Sequence, residues 1–140
     1  MSEDRYNTSK LLVVFLVRQL AQAMSHSQSS GDDTTTPVII TAINPGYCRT
    51  QLFRHASPPL SWIIATGLVL FGRTSEMGSR TLLAGATAGQ ECHGKYMDSC
   101  VVRDPAPQVL TEEGARTQKR VFDELMAVLE GIEPGITKNI

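Results

Sequence analysis

The sequence predicts part of a layered α/β domain rather than a whole one, and three observations carry that expectation. A long helical stretch near the N-terminus contains the run Leu11-Leu12-Val13-Val14-Phe15-Leu16-Val17, which is apolar on every side. A β-branched run, Val38-Ile39-Ile40-Thr41-Ala42-Ile43, stops at the turn Asn44-Pro45-Gly46. The remaining patterns yield three more helices but only one further short strand. Two strands make a marginal sheet. A helix apolar all round must be buried by neighbours on several faces, and little in the remaining chain can supply them. At 140 residues there is room for one domain, with no repeat and no second unit.

The first helix is expected over about residues 4–24, a stretch without Gly or Pro. Residues 25–36 are polar, Ser- and Thr-rich and bounded by Pro37, the composition of a flexible loop, with His26 solvated inside it. The strand at 38–43 follows, with the short irregular run to Phe53 behind its turn. Pro58-Pro59 opens an uncharged segment, 60–71, which is too short to span a bilayer and has no basic face. It reads either as a helix covering a substrate pocket or as a plain core helix. Thr74 or Ser75 caps the next helix, with Glu76 in its first turn. Small residues at Gly78, Ala84, Gly85, Ala86 and Ala88 would let that helix approach a sheet closely before it stops ahead of Gly89. A second strand is expected over about 95–97. After Pro105 and Pro107, Thr111 caps an amphipathic helix ending before Gly131, and residues 133–140 are expected to form a loose tail.

Composition excludes several classes of function. An apolar fraction of 41% with a formal net charge of −1 fits an ordinary globular protein and gives no electrostatic footprint for nucleic acid. The N-terminus lacks the basic, apolar and small-residue regions of a signal peptide. Three cysteines at irregular spacing (Cys48, Cys92, Cys100) do not form a disulfide framework, so a reducing, cytoplasmic setting is the expectation. Cys92, His93 and Cys100 lack a fourth ligand at zinc spacing, and no metal is expected.

Two places could carry chemistry. Tyr6 and Lys10 stand four residues apart, hence on one helical face. An ammonium beside a phenol favours the phenolate and would make the pair a general acid/base. The competing reading is a solvated lysine beside a packing tyrosine, and the spacing alone leaves both open. The second place is the turn after the first strand, since open α/β sheets bind ligands outside the carboxyl ends of their strands. An ordinary strand-to-loop turn would look the same.

In order along the chain, Tyr6-x-x-x-Lys10, a loop and strand, and Asn44-Pro45-Gly46-Tyr47-Cys48-Arg49-Thr50 resemble the C-terminal half of the short-chain dehydrogenase/reductases. Arg5-Tyr6-Asn7-Thr8-Ser9-Lys10-Leu11-Leu12, the run from Gly72 through Arg73-Thr74-Ser75-Glu76 to Leu82, and His93-Gly94-Lys95-Tyr96-Met97-Asp98-Ser99-Cys100 are similar to fungal, retinol-dehydrogenase-like members. The fold implied is the C-terminal part of a Rossmann-type doubly wound parallel sheet lacking the N-terminal nucleotide-binding βαβ units, so residues 1–140 are read as one partial domain. The resemblance implies that Tyr6 is the catalytic acid/base and that Lys10 lowers its pKa and binds the nicotinamide ribose. It implies that the turn (Pro45, Gly46, Cys48 and Thr50) lies beside the nicotinamide, with Cys48 where the family often has Val or Ile. The cofactor implied is NADP or NAD, the substrate a small-molecule alcohol/carbonyl pair, and the setting fungal secondary metabolism. The long apolar stretch after Pro59 falls in the family's variable substrate-binding region.

The departures are as informative. The Gly-rich phosphate turn, the Asn-Asn-Ala-Gly-like segment and the catalytic Asn and Ser of the family lie upstream of its tyrosine, where this sequence has five residues. The chain alone is therefore expected to be weakly active or inactive, with a homo-oligomer or a complementing N-terminal fragment as partner. The alternative is a non-catalytic remnant or interaction subunit that uses the apolar Tyr-x-x-x-Lys helix as an interface. The dehydrogenase reading requires Tyr6 and Lys10 to face the Pro45-Gly46 turn.

Overall fold

A computed structural model describes residues 3–28, 38–49 and 57–139. The chain forms α1 (Glu3–Gln28), β1 (Ala42–Asn44), α2 (Leu60–Phe71), α3 (Ser75–Ala86), β2 (Tyr96–Asp98), β3 (Val101–Arg103) and α4 (Glu112–Ile132), with short 3₁₀ turns between them. The class is mixed α/β, as expected.

The sheet has the order β1-β2-β3. β1 and β2 are parallel, with Ala42 opposite Tyr96 and Asn44 opposite Asp98. β3 was not expected, and it departs from the expectation of a parallel sheet by running antiparallel to β2, with Tyr96 opposite Arg103. The cause is the turn between them: Ser99 and Cys100 both have positive φ (53° and 68°). Two successive left-handed residues match the twist of a tight hairpin and reverse the chain at once. β1 starts later than the apolar run suggests. The Ile40 carbonyl accepts from Gly94 N–H at 2.8 Å, but Gly94 has φ +69°, and the regular ladder begins at Ala42, whose N–H donates to the Lys95 carbonyl at 3.0 Å. Val38 and Ile39 are exposed.

Alternation along the strands separates two helical layers. Ile43 and Met97 face α3, which comes close because a Cβ on Gly85 would run into Ile43. The opposite face carries Tyr96, which shares a cavity wall with Arg18 of α1. α1 and α4 pack together on that side, joined by Gln118, which is 5% exposed. Its amide donates to Gln19 Oε1 at 3.0 Å and accepts from Arg18 Nε at 3.1 Å.

Three expectations are corrected by the helices and the tail. α1 continues to Gln28, so the expected loop at 25–36 begins as helix, with the Ser25 hydroxyl donating to the Ala21 carbonyl at 2.9 Å; the rest of that loop lies outside the described residues. α2 is not a core helix among the described residues: Trp62, Ile63, Val69, Leu70 and Phe71 are all exposed, Phe71 by 82%. The expected loose tail is instead tied down, because Gly135 (φ +93°) turns the chain back onto Glu130. That carboxylate accepts from Gly135 N–H at 2.5 Å, Thr137 N–H at 3.3 Å and the Thr137 hydroxyl at 2.8 Å. These donors hold its pKa below the ordinary 4.5.

The two capping expectations match the structure. Thr74 accepts from Met77 N–H at 3.2 Å, and Thr111 from Gly114 N–H at 3.0 Å. The core is thin. Its buried apolar side chains among the described residues are Phe15, Ala21, Ala42, Cys92, Met97 and Val109. The all-apolar run of α1 is mostly half-buried and Val13 is 49% exposed, so the neighbours that such a helix calls for are not supplied by the described residues.

Candidate functional site

The first turns of α1 bring Tyr6 and Lys10 together. The Lys10 ammonium lies over the Tyr6 ring, 5.3 Å from its centroid, inside the range of a cation–π contact. Tyr6 is half-buried and Lys10 exposed. The Ser9 hydroxyl donates to the Tyr6 carbonyl at 2.7 Å, a local bond within the helix.

The direction of α1 decides where this pair stands. The Ser25–His26 end of the helix shares a cavity wall with His93, Gly94 and Lys95, just before β2. Arg18, two turns earlier, adds Tyr96 and Arg103 as neighbours. The helix therefore runs antiparallel to β1 and β2. At 1.5 Å per residue Tyr6 lies about 22 Å from Ala21, while Pro45 lies about 17 Å from Ile40 at strand spacing. Both are carried toward the carboxyl end of the parallel pair.

At that end the turn is rigidly built. The Asn44 side chain accepts from Gly46 N–H at 3.0 Å and donates to the Tyr96 hydroxyl at 3.0 Å. Gly46 has φ +79°, and a Cβ there would meet Arg73 Nη1 at 3.2 Å, so the position calls for glycine twice over. The Cys48 thiol donates to the Pro45 carbonyl at 3.4 Å. Behind it, residues 47–49 pair with Arg73: Arg73 N–H donates to the Tyr47 carbonyl and Arg49 N–H to the Arg73 carbonyl, both at 2.9 Å. A Cβ on Gly78 would strike the Cys48 sulfur, so α3 is seated directly on the turn. Thr50 lies outside the described residues.

Sequence reasoning missed the braces of this turn. Arg73 Nη1 donates to the Ser99 hydroxyl at 2.6 Å, and Ser99 in turn donates to Asp98 at 3.0 Å. Ser99 N–H also donates to the Asn44 carbonyl at 3.1 Å. Arg49 donates through Nε and Nη2 to the Leu68 and Val69 carbonyls, at 2.8 and 2.7 Å, closing the C-terminus of α2. No local pattern announces contacts between residues 19 to 55 positions apart.

His93 and Cys92 have structural parts. His93 Nδ1 accepts from Ile40 N–H at 3.3 Å and Nε2 stands 3.0 Å from the Ala21 carbonyl. With Nδ1 accepting and Nε2 facing the carbonyl, the ring clamps α1 to the segment just before β1. Cys92 is buried, with its carbonyl accepting from Thr41. Among the described residues no group of His, Cys, Asp and Glu could hold a metal ion, and no helix is long and apolar enough to cross a membrane.

Comparison with known proteins gives a consistent family. The short chain dehydrogenase/reductase dmxR8 of Cryptosporiopsis sp. is 40% identical over 137 residues, covering 98% of this chain and 39% of the relative. The short-chain dehydrogenase anuD of Penicillium roqueforti is 32% identical, covering 95% of this chain and 35% of its own length. The short chain dehydrogenase FGM9 of Gibberella zeae is also 32% identical, with coverages of 95% and 37%. The chain thus spans between 35% and 39% of the length of these relatives. No family model and no solved structure matches it. With matches to these relatives that run almost end to end, the chain belongs to the fungal short-chain dehydrogenase/reductases and corresponds to their C-terminal part.

Proposed function

We propose that this chain contributes the proton-transfer and nicotinamide-binding half of an NAD(P)-dependent oxidoreductase that interconverts an alcohol and a carbonyl in fungal secondary metabolism. The observation that carries the reading is the Lys10 ammonium held 5.3 Å from the Tyr6 ring. A phenol is a proton donor and acceptor, and the ammonium places three N–H donors on the same helical face. In this reading Tyr6 passes a proton to the substrate oxygen on carbonyl reduction and takes it back on alcohol oxidation. Lys10, with three donors and no acceptor, holds the nicotinamide ribose hydroxyls.

The donor set fits the nicotinamide end of the cofactor. Lys10 and the backbone of the turn at Pro45, Gly46 and Cys48, with Thr50 beyond it, would hold the ribose and the carboxamide, and the bound cofactor would supply the hydride. The turn is suited to that task because Asn44, Arg73 and Ser99 fix it before any ligand arrives. For the pyrophosphate the chain has no Gly-rich strand-to-helix turn. The chain alone is accordingly expected to bind NADPH weakly and to turn over little, in a Rossmann-type domain completed by residues from elsewhere.

The test is a chimera in which residues 1–140 replace the matching part of dmxR8, assayed by NADPH oxidation with a panel of ketones and aldehydes. Turnover is expected, and Tyr6→Phe should lower kcat by about 10²–10⁴-fold, the range for losing a general acid. A chimera whose Tyr6→Phe form keeps its full rate would overturn the reading.

A second reading rests on its own observation. The apolar run of α1 is incompletely covered, with Val13 49% exposed, which suits a helix that buries itself on a partner or on a second copy. A monomeric sedimentation profile with a cooperative thermal transition would count against it.

A further inference from the structure

Two cavities of about 320 and 580 Å³ open side by side between α1 and the β2–β3 hairpin. They share two wall residues, Arg18 and Lys95. Both lie at the amino ends of β1 and β2, the opposite end of the sheet from the Asn44–Cys48 turn, and on its β2–β3 side, away from the outer edge at β1. The groove is thus separate from the dehydrogenase site.

Its charge is unbalanced. Among the described residues neither Arg18 nor Lys95 has a carboxylate partner. Arg103, on the wall of the larger cavity, reaches only one oxygen of Asp98, at 3.7 Å. The single carboxylate on either wall is Asp104. This concentration of positive charge stands on a protein whose formal net charge is −1.

The groove is also built rather than incidental. Arg18 is oriented by the amide of Gln118, a side chain 95% buried between α1 and α4 whose other end is occupied by Gln19. A neutral amide fixes the guanidinium through Nε without spending its charge, leaving the rest of the fork for an anion. A carboxylate at position 118 would neutralise it. The floor of the smaller cavity is set by the clamped His93 ring and Gly94, and the larger one adds the Tyr96 ring, Val102 and Pro105.

We propose that this groove binds a small organic phosphate, with the phosphate group between Arg18 and Lys95 and the organic body against Tyr96, Val102 and Pro105. A phosphate monoester carries close to two negative charges at neutral pH, which two uncompensated cations match. Two of its tetrahedrally arranged oxygens match the planar arginine fork, and a mobile ammonium can reach a third. The combined volume falls in the usual range for small-molecule sites.

The probe is phenyl phosphate, titrated into the full chain by calorimetry at low salt, with inorganic phosphate and phenol as partial ligands. Saturable binding is expected for phenyl phosphate, weaker binding for inorganic phosphate, none for phenol, and loss of affinity as salt is raised. Lys95→Gln should weaken binding about tenfold or more, and Gln118→Glu should abolish it while keeping α1 and α4 joined, as read by an unchanged thermal midpoint. Arg116→Gln, which removes an exposed cation on α4 paired with Glu112, should leave affinity unaltered. An unsaturable response, or equal losses for Lys95→Gln and Arg116→Gln, would overturn the proposal.

Discussion

α2 and α4 are both regular helices, yet they are held in place by opposite means. α4 carries its own stabilisation: a Thr111 cap, Glu112 and Glu113 in the first turn, and exposed i,i+4 ion pairs from Arg116 to Glu112, Lys119 to Asp123 and Arg120 to Glu124. Its inward face meets α1 through Gln118. α2 has no side-chain cap, no charge in its first or last turn, and apolar side chains directed outward. Arg49 closes its C-terminus from a distant loop. The contrast separates a helix encoded by its own residues from one whose surroundings are specified elsewhere. Amphipathic patterning makes the first readable. A run such as Leu60–Phe71 records only that something apolar is meant to be close by.

The comparison can be broken most severely at the contact beneath α3, the helix that carries the far end of α2 onto the sheet. Gly85→Val drives a branched side chain into Ile43 and should cost about 1–3 kcal/mol, read as a drop in thermal midpoint larger than any change on α4 produces. Next comes α4 itself. Thr111→Ala removes the acceptor for Gly114 N–H and should cost about 1 kcal/mol, with Thr111→Ser recovering most of it. On α2, Arg49→Met deletes two exposed bonds to carbonyls and should cost about 0.5–1 kcal/mol. Its effect should be local, appearing as faster amide exchange within 60–71 and not in α4. The smallest effect belongs to the tail. Glu130 has its pKa held below 4.5 by Gly135 and Thr137, so the stabilisation is present above the ordinary carboxylate pKa and is lost as pH falls through the lowered one. Acidification should release the Gly135 and Thr137 amides, as followed by NMR, while Glu130→Gln should release them at neutral pH.

What was legible in the sequence follows the same division. Caps at Thr74 and Thr111, the helical pattern of α4, the Tyr6–Lys10 spacing and the glycine at 46 are local signals, and each has a local cause in the structure. β3 escaped notice because its turn uses Ser99 and Cys100 where Asn-Gly or Asp-Gly would have announced a hairpin. Arg73 and Gln118 escaped notice because their importance lies in partners far along the chain, Ser99 for one and Arg18 for the other. The tail was misjudged because its composition suggests looseness, whereas one carboxylate gathers three donors from it. Thr50 was singled out by family likeness and lies outside the described residues.

β1 stands at the end of the strand order, with β2 as its one neighbour among the described residues. Ala42-Ile43-Asn44 carries neither lysine nor proline to blunt that margin, and among the described residues no strand pairs with its outer side, where the Ile43 amide and carbonyl alternate outward from those bonded to β2. The molecule therefore has a selvedge: a border on which another strand, from this polypeptide or a different one, could be woven in register without disturbing the fabric already made.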